Sequence, residues 1–92
     1  MGAEQDSLRV RVMRTLEELL KDRPADARPV DTDMVLARMR LRAEDRDDLA
    51  RSMSELLDAG DLRGKQLRGD NKVMDVTVTA ITDQGLQRLD DE

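Results

Sequence analysis

Residues 49–80 read LARSMSELLDAGDLRGKQLRGDNKVMDVTVTA, and the change of rhythm inside this stretch decides the fold. Up to Leu57 the apolar residues Leu49, Met53, Leu56 and Leu57 fall at i, i+4, i+7 and i+8, the stripe of an amphipathic helix. From Met74 onward Met74, Val76, Val78 and Ala80 alternate with Asp75, Thr77 and Thr79, the period of a half-buried strand. Gly60 falls where the rhythm breaks and is a natural C′ residue for a helix over about 44–59. Gly69-Asp70-Asn71 is turn chemistry. Residues 62–68 are therefore expected to be the partner strand of a hairpin, although their own alternation is poor.

Upstream, Leu8, Val12, Leu16 and Leu19/Leu20 keep helical spacing, with Arg9, Arg11, Arg14, Glu17, Glu18 and Lys21 on the wet face. This predicts a helix over 7–22 with Ser7 as N-cap, ended by Pro24, which disfavours helical geometry at Arg23. After a loop at 25–29, Asp31 can cap a second helix running to about Arg40, with Val30 and Val35 as a hydrophobic staple. Met34, Val35, Met39 and Leu36 are its core candidates, and residues 41–43 form a turn before the third helix. Downstream, Thr82 can cap a short last helix, Ile81 and Leu86 form a second staple, and Leu86 and Leu89 pin that helix down. Residues 1–6 read as a flexible polar tail, 7–89 as one domain and 90–92 as an acidic end.

The chain is 92 residues long, 38% hydrophobic and 40% charged, with a net charge of −5. Such a composition borders on that of disordered chains, but its charges are mixed and its apolar residues periodic, which predicts a folded domain that is mostly surface. The absence of cysteine removes disulfides, thiolate metal sites and cysteine nucleophiles. The absence of histidine removes the usual general base and the commonest metal ligand. Without Phe, Trp or Tyr there is no aromatic platform for stacking bases. Met13, Met34, Met39 and Met53 fall on apolar stripes and are expected to fill the core in place of rings. No apolar run approaches a membrane span, and the polar start is unlike a signal peptide, so a cytoplasmic chain is expected, with no membrane contact.

The order helix, helix, helix, strand, strand, short helix resembles a winged helix-turn-helix domain. Two passages carry the resemblance: Leu56-Leu57-Asp58-Ala59-Gly60-Asp61-Leu62, similar to the family's passage from third helix into wing, and Ile81-Thr82-Asp83-Gln84-Gly85-Leu86, similar to the ending that follows the wing in MarR-like and PadR-like regulators. The resemblance spans about Ser7 to Leu89. It implies an α+β fold: a three-helix bundle with a two-stranded β-hairpin wing and a short C-terminal helix. It also implies a DNA-binding transcriptional regulator, whose third helix enters the major groove while the wing touches phosphate or minor groove. On that reading Arg46 and Arg51 would be helix contacts. Arg63, Lys65, Arg68 and Lys72 would be wing contacts, and Arg42, from a basic turn of Arg38, Arg40 and Arg42 beside helix three, would be the seventh contact residue. A dimer would be expected, because related regulators read paired half-sites. Asp70-Asn71-Lys72 echoes the MarR-like wing pattern Asp-x-Arg, with Lys in place of Arg. The flanking helices through which those regulators dimerise are largely missing.

Charge divides the two function classes. Residues 62–74 carry net +3, enough for several phosphate contacts, but residues 44–59 carry net −4. Glu44, Asp45, Asp47 and Asp48 suit a helix N-terminus and would repel a phosphate backbone. The alternative is therefore a non-catalytic winged helix used for protein contact or assembly, whose acidic helix docks a basic partner surface.

Other motifs fail on spacing. Gly60-Asp61-Leu62-Arg63-Gly64-Lys65-Gln66 has three residues between its glycines and no Ser or Thr after Lys65, so it is not a phosphate loop. Arg68-Gly69-Asp70 reads as a hairpin tip. Asp31-Thr32-Asp33 and Asp45-Arg46-Asp47-Asp48 lack Ca²⁺-loop spacing and read as helix caps, so no metal or other cofactor is expected. Ser52 and Ser54 have no histidine to activate them, and the sequence implies no enzyme.

Overall fold

In the computed structural model, which describes residues 3–21 and 28–90, the rhythm break at Gly60 is a helix end. Helix α3 (Arg46–Asp58) stops there because Gly60 takes φ +87°. Its N–H donates to the Leu57 carbonyl at 3.1 Å, and the Asp61 N–H donates to Leu56 at 3.0 Å, the two bonds of a Schellman motif. Before α3 lie α1 (Ala3–Lys21), β1 (Val30–Asp31), α2 (Thr32–Arg38) and a 3₁₀ turn (Ala43–Asp45). After it come β2 (Leu62–Gly69), β3 (Lys72–Ile81) and α4 (Asp83–Asp90). The described residues thus form an α+β fold of four α-helices and one antiparallel sheet of order β1-β3-β2.

Helix α1 begins four residues before the expected cap. Ala3, Glu4 and Gln5 are good helix formers, so part of the expected tail is helical and Ser7 lies inside the helix. The stop expected at Pro24, like all of residues 22–27, lies outside the described residues, as do residues 91–92. Asp31 caps α2 as expected, its Oδ1 accepting from the Met34 N–H at 2.8 Å, with Val30 and Val35 both buried. Helix α2 closes at Arg38, two residues early. Arg40 takes φ +57°, and the N–H groups of Arg40 and Leu41 return to Ala37 and Leu36 in a second Schellman motif without glycine. Residues 44 and 45, expected in the third helix, form the 3₁₀ turn instead.

Strand β1 is absent from the sequence reading, since two residues display no period. Val30 pairs with Val78 and Asp31 with Thr77. The hairpin β2–β3 turns on Asp70 and Asn71, whose φ values of 51° and 68° are those of a type I′ turn. Its register shifts twice, between Arg63 and Gly64 and between Leu67 and Arg68, and each shift leaves one extra residue on β3, Thr79 and Met74. The second bulge breaks the expected alternation: Val76 and Val78 are fully buried, while Met74 is exposed.

The core is built from Val12 and Leu16 of α1, Val35 of α2, Leu49 and Met53 of α3, and Val76 and Val78 of β3. Met13 and Met53 are buried, and Met34 and Met39 pack against the core edge, as expected of methionines standing in for rings. Of the two leucines expected to pin α4, Leu89 is buried and Leu86 is exposed. Leu86 lies one residue after Gly85, the residue that seats the helix, and so looks outward from that contact. No described helix is long and apolar enough to cross a membrane.

Candidate functional site

The two passages behind the family resemblance meet in space as one joint. The Thr82 hydroxyl donates to the Gly60 carbonyl at 2.7 Å and accepts from the Gly85 N–H at 3.0 Å, so a single side chain caps α4 and grips the end of α3. The Thr82 N–H donates to the Asp61 carbonyl at 3.0 Å. Gln84 Nε2 donates to the Ala59 carbonyl at 2.8 Å and to the buried Asp61 carboxylate at 2.9 Å, and Arg88 Nε lies 3.5 Å from that carboxylate. Gly85 completes the joint, because a Cβ there would stand 2.3 Å from the Asp61 carbonyl oxygen. This joint ties the end of α3 and the two ends of the hairpin to α4.

The hairpin leans over the outer side of α3 and leaves an open groove. Gln66 of β2 spans it, accepting from the Ser54 hydroxyl at 2.5 Å and donating to Asp58 at 3.0 Å. Asp47, Arg51, Glu55 and Asp58 line the helix side, and Arg68, Asn71 and Lys72 line the hairpin side. Gly64 permits the close packing of the hairpin's own strands, since a Cβ there would lie 1.9 Å from the Thr77 carbonyl oxygen.

The seven expected contact residues do not form one surface. Arg46 is committed within the fold: Nε donates to Asp33 at 2.8 Å, Nη1 donates to the Met74 carbonyl at 2.6 Å, and Nη2 lies 3.8 Å from Asp75. The Asp33 hydrogen bond pushes its pKa above the ordinary arginine value, so it stays cationic throughout. Arg51 sits 3.9 Å from Asp48, and Lys72 sits 3.9 Å from Asp47. Arg68 Nε donates to Gln66 at 3.1 Å and so turns into the groove. Arg63 and Lys65 alternate with Gln66 along β2 and occupy the opposite, outer face, exposed and without an ion pair among the described residues. Arg42 is exposed beside Glu44 at 3.2 Å, well away from the hairpin in sequence and in its bonding. Of the rest of the basic turn, Arg38 pairs with Glu18 of α1 at 3.1 Å.

The exposed face of α3 is acidic. Asp47, Asp48, Glu55 and Asp58 are exposed there against Arg51, a net charge of −3 for the helix's own exposed side chains, with Arg9 of α1 paired to Glu55 and Lys72 of β3 beside Asp47. Ser54, the more buried of the two candidate serines, bonds an amide and no base. No described group of three or more acidic residues is arranged to hold a metal ion. The structural roles of Gln66, Ser54, Thr32 and Asp75 are not visible in the sequence, because each acts through a partner 12 or more residues away, and neither periodicity nor charge marks such pairs.

Comparison with family models, with curated proteins and with solved structures finds no match to this chain.

Proposed function

We propose that this chain is a winged-helix module that binds a protein partner and does not read DNA through its third helix. In this reading α1–α3 are the bundle, β2–β3 the wing and α4 the closing helix. One observation carries it: the solvent face of α3, where base edges would be read, holds Asp47, Asp48, Glu55 and Asp58 against a single exposed arginine of its own, and although Glu55 pairs with Arg9 of α1 and Asp47 with Lys72, Asp58 meets no cation among the described residues and Asp48 only Arg51. Four carboxylates facing a phosphate backbone oppose association, whereas the lysines and arginines of a protein surface complement them. The cation at the start of α3, Arg46, supports the same reading, because releasing it toward DNA would strip Asp33 and the Met74 carbonyl of their donor.

The outer wing favours a second reading. Arg63 and Lys65 are exposed and free of ion pairs among the described residues, and they could hold phosphate with α3 turned away. Fluorescence polarisation of a labelled mixed-sequence duplex across a salt series separates the two. The protein-binding reading expects no association even at ~50 mM salt. Binding that weakens on a log–log slope of about −0.9 per phosphate contact, and that needs Arg63 and Lys65, would establish the wing reading. Binding that needs Arg51 and bases of defined sequence would overturn both and restore α3 as a reading helix.

A further inference from the structure

The two edges of the sheet are treated differently. On β3, alternation turns the backbone groups of Val76 and Val78 away from β2, the bulge leaves Met74 without a residue opposite on β2, and both valines and the Met74 carbonyl meet a partner. Val78 lies opposite Val30 of β1. The Val76 N–H donates to the buried Thr32 hydroxyl at 2.9 Å, and that hydroxyl returns a bond to the Val76 carbonyl at 3.4 Å. The Met74 carbonyl accepts from Arg46. A short strand, a hydroxyl and a guanidinium thus cap successive rungs, the kind of protection an exposed edge needs.

Strand β2 is the other edge, and among the described residues no strand pairs with it from outside. The Gly69–Lys72 pair closes a two-residue turn, so its polar groups face each other. Alternation then turns Leu67, Lys65 and Arg63 toward β3 and leaves the N–H and C=O groups of Gly64, Gln66 and Arg68 pointing outward. The Thr77 and Thr79 hydroxyls, which reach the Lys65 and Arg63 carbonyls from β3 at 3.4 and 3.2 Å, agree with that phase. Beside this bare ladder stand Arg63 and Lys65, and Leu67 with 64% of its surface exposed.

We infer that β2 accepts an extended, acidic segment of a partner protein as a fourth strand. The open N–H and C=O groups supply the pairing, and the side chains choose the partner. Carboxylates at alternate positions of the incoming strand meet Arg63 and Lys65, and an apolar residue covers Leu67. A second copy of this chain is the wrong occupant. Two β2 strands set antiparallel would gather Arg63, Lys65 and Arg68 of both copies along one seam, and like charges across a strand pair destabilise it. Carboxylates placed opposite Arg63 and Lys65 project from the outer face, away from the acidic side of α3. The inference does not rest on how α3 is used, since it needs only the bare edge and its charges.

The test uses the full chain and, as probes, blocked peptides of about eight residues alternating Glu with Val, or Lys with Val. Amide exchange is followed residue by residue by NMR. The Glu–Val peptide should slow exchange at Gly64, Gln66 and Arg68 and leave Lys65 and Leu67 unchanged, and the Lys–Val peptide should not bind. Arg68→Pro removes one outward N–H at an edge position where proline is tolerated, and Arg68→Ala removes the same charge but keeps the N–H. The proline variant should bind about tenfold more weakly than the alanine variant. Arg63→Glu combined with Lys65→Glu alters only exposed positions and should reverse the preference toward the Lys–Val peptide. Equal binding of both peptides, equal affinity of the two Arg68 variants, or protection confined to α3 would overturn the inference. So would slowing of the same three amides at high protein concentration without peptide, which would identify a second copy as the occupant. The duplex titration reports separately on the reading of α3.

Discussion

Gly85→Ala should destabilise this protein, although glycine lies inside a helix where alanine is ordinarily the better residue. Propensity alone would gain up to about 1 kcal/mol. The structure opposes that gain with a contact that cannot relax cheaply. The added Cβ would stand 2.3 Å from the Asp61 carbonyl oxygen, 3.1 Å from its carbonyl carbon and 3.0 Å from Ile81 Cγ2. The Asp61 carbonyl is held by the Thr82 N–H, and its backbone is fixed by the Schellman bonds at Gly60. Helix α4 must therefore retreat, and in doing so it loosens the Thr82 cap, the Gln84 bonds to Ala59 and Asp61, and Leu89. Overpacking of this kind costs typically 1–3 kcal/mol, and loss of a helix cap roughly 1 kcal/mol more. Set against the propensity gain, the net loss is about 2 kcal/mol, which for a chain of this size lowers Tm by about 10 °C. Urea unfolding followed by far-UV circular dichroism gives the value directly, and the midpoint should fall by about 1 M for a slope near 2 kcal/mol/M. An unchanged or raised midpoint would mean that α4 does not sit on the Asp61 turn, and the joint of α4 with the end of α3 would go with it.

Four further outcomes follow from the same geometry. Leu56→Ala, in a side chain only 6% exposed, should cost about 3 kcal/mol in chemical denaturation, and a cost under about 0.5 kcal/mol would mean that α3 faces another way. Arg46→Ala should cost about 1–2 kcal/mol, with Arg46→Lys recovering little because a point charge cannot bond Asp33 and the Met74 carbonyl together; full rescue by lysine would show that only the charge matters. Arg40→Gly should stabilise by about 0.5 kcal/mol, since φ +57° suits glycine, and a loss of stability would mean that the arginine side chain is needed there. Asp47→Lys combined with Asp48→Lys should raise duplex affinity in the polarisation assay above that of the natural chain. An unchanged result would show that the acidic face does not oppose a duplex.

Much of the fold was legible because its decisive signals are local. Leu49, Met53, Leu56 and Leu57 mark α3 by period alone, Gly60 marks its end, and Asp70-Asn71 marks the turn by the positive φ that short polar residues tolerate. Asp31 and Thr82 are caps whose partners lie three residues away. What was not legible depends on distance along the chain. Strand β1 exists only because Val30 finds Val78. Met74 reads as core until a bulge, set by a mismatch of one residue between two strands, turns it outward. Thr32 reads as an ordinary first-turn residue, yet it is buried against Val76 because that edge of β3 needs a donor and an acceptor in one group. The candidate site suffers most, because strand alternation and long-range pairs decide which cations are free.

Charge counted along a sequence and charge presented on a surface are different quantities, and the hairpin shows how far they diverge. Its four cations give a basic segment in linear order. Folded, Arg68 turns toward Gln66 in the groove and Lys72 lies beside Asp47, so the inner side of the hairpin is balanced by the acids of α3. Arg63 and Lys65 keep their charge unshared on the outer face, and Arg68 is bonded only to the neutral amide of Gln66. An exposed pair at 3.9 Å contributes roughly 0–1 kcal/mol to stability, so the Lys72–Asp47 pairing is not what holds the hairpin to the helix. The core that Leu62, Val76 and Val78 share with Leu49, Met53 and Leu56 does that, with the Ser54–Gln66–Asp58 bonds beside it. The effect of the pairing is on recognition: it removes net positive potential from the groove where a duplex backbone would lie and confines it to the edge strand. A ligand drawn by that potential arrives at β2 from outside, where the unpaired backbone groups of Gly64, Gln66 and Arg68 are waiting, and an extended acidic chain can satisfy both the charge and the ladder, which a phosphate backbone cannot.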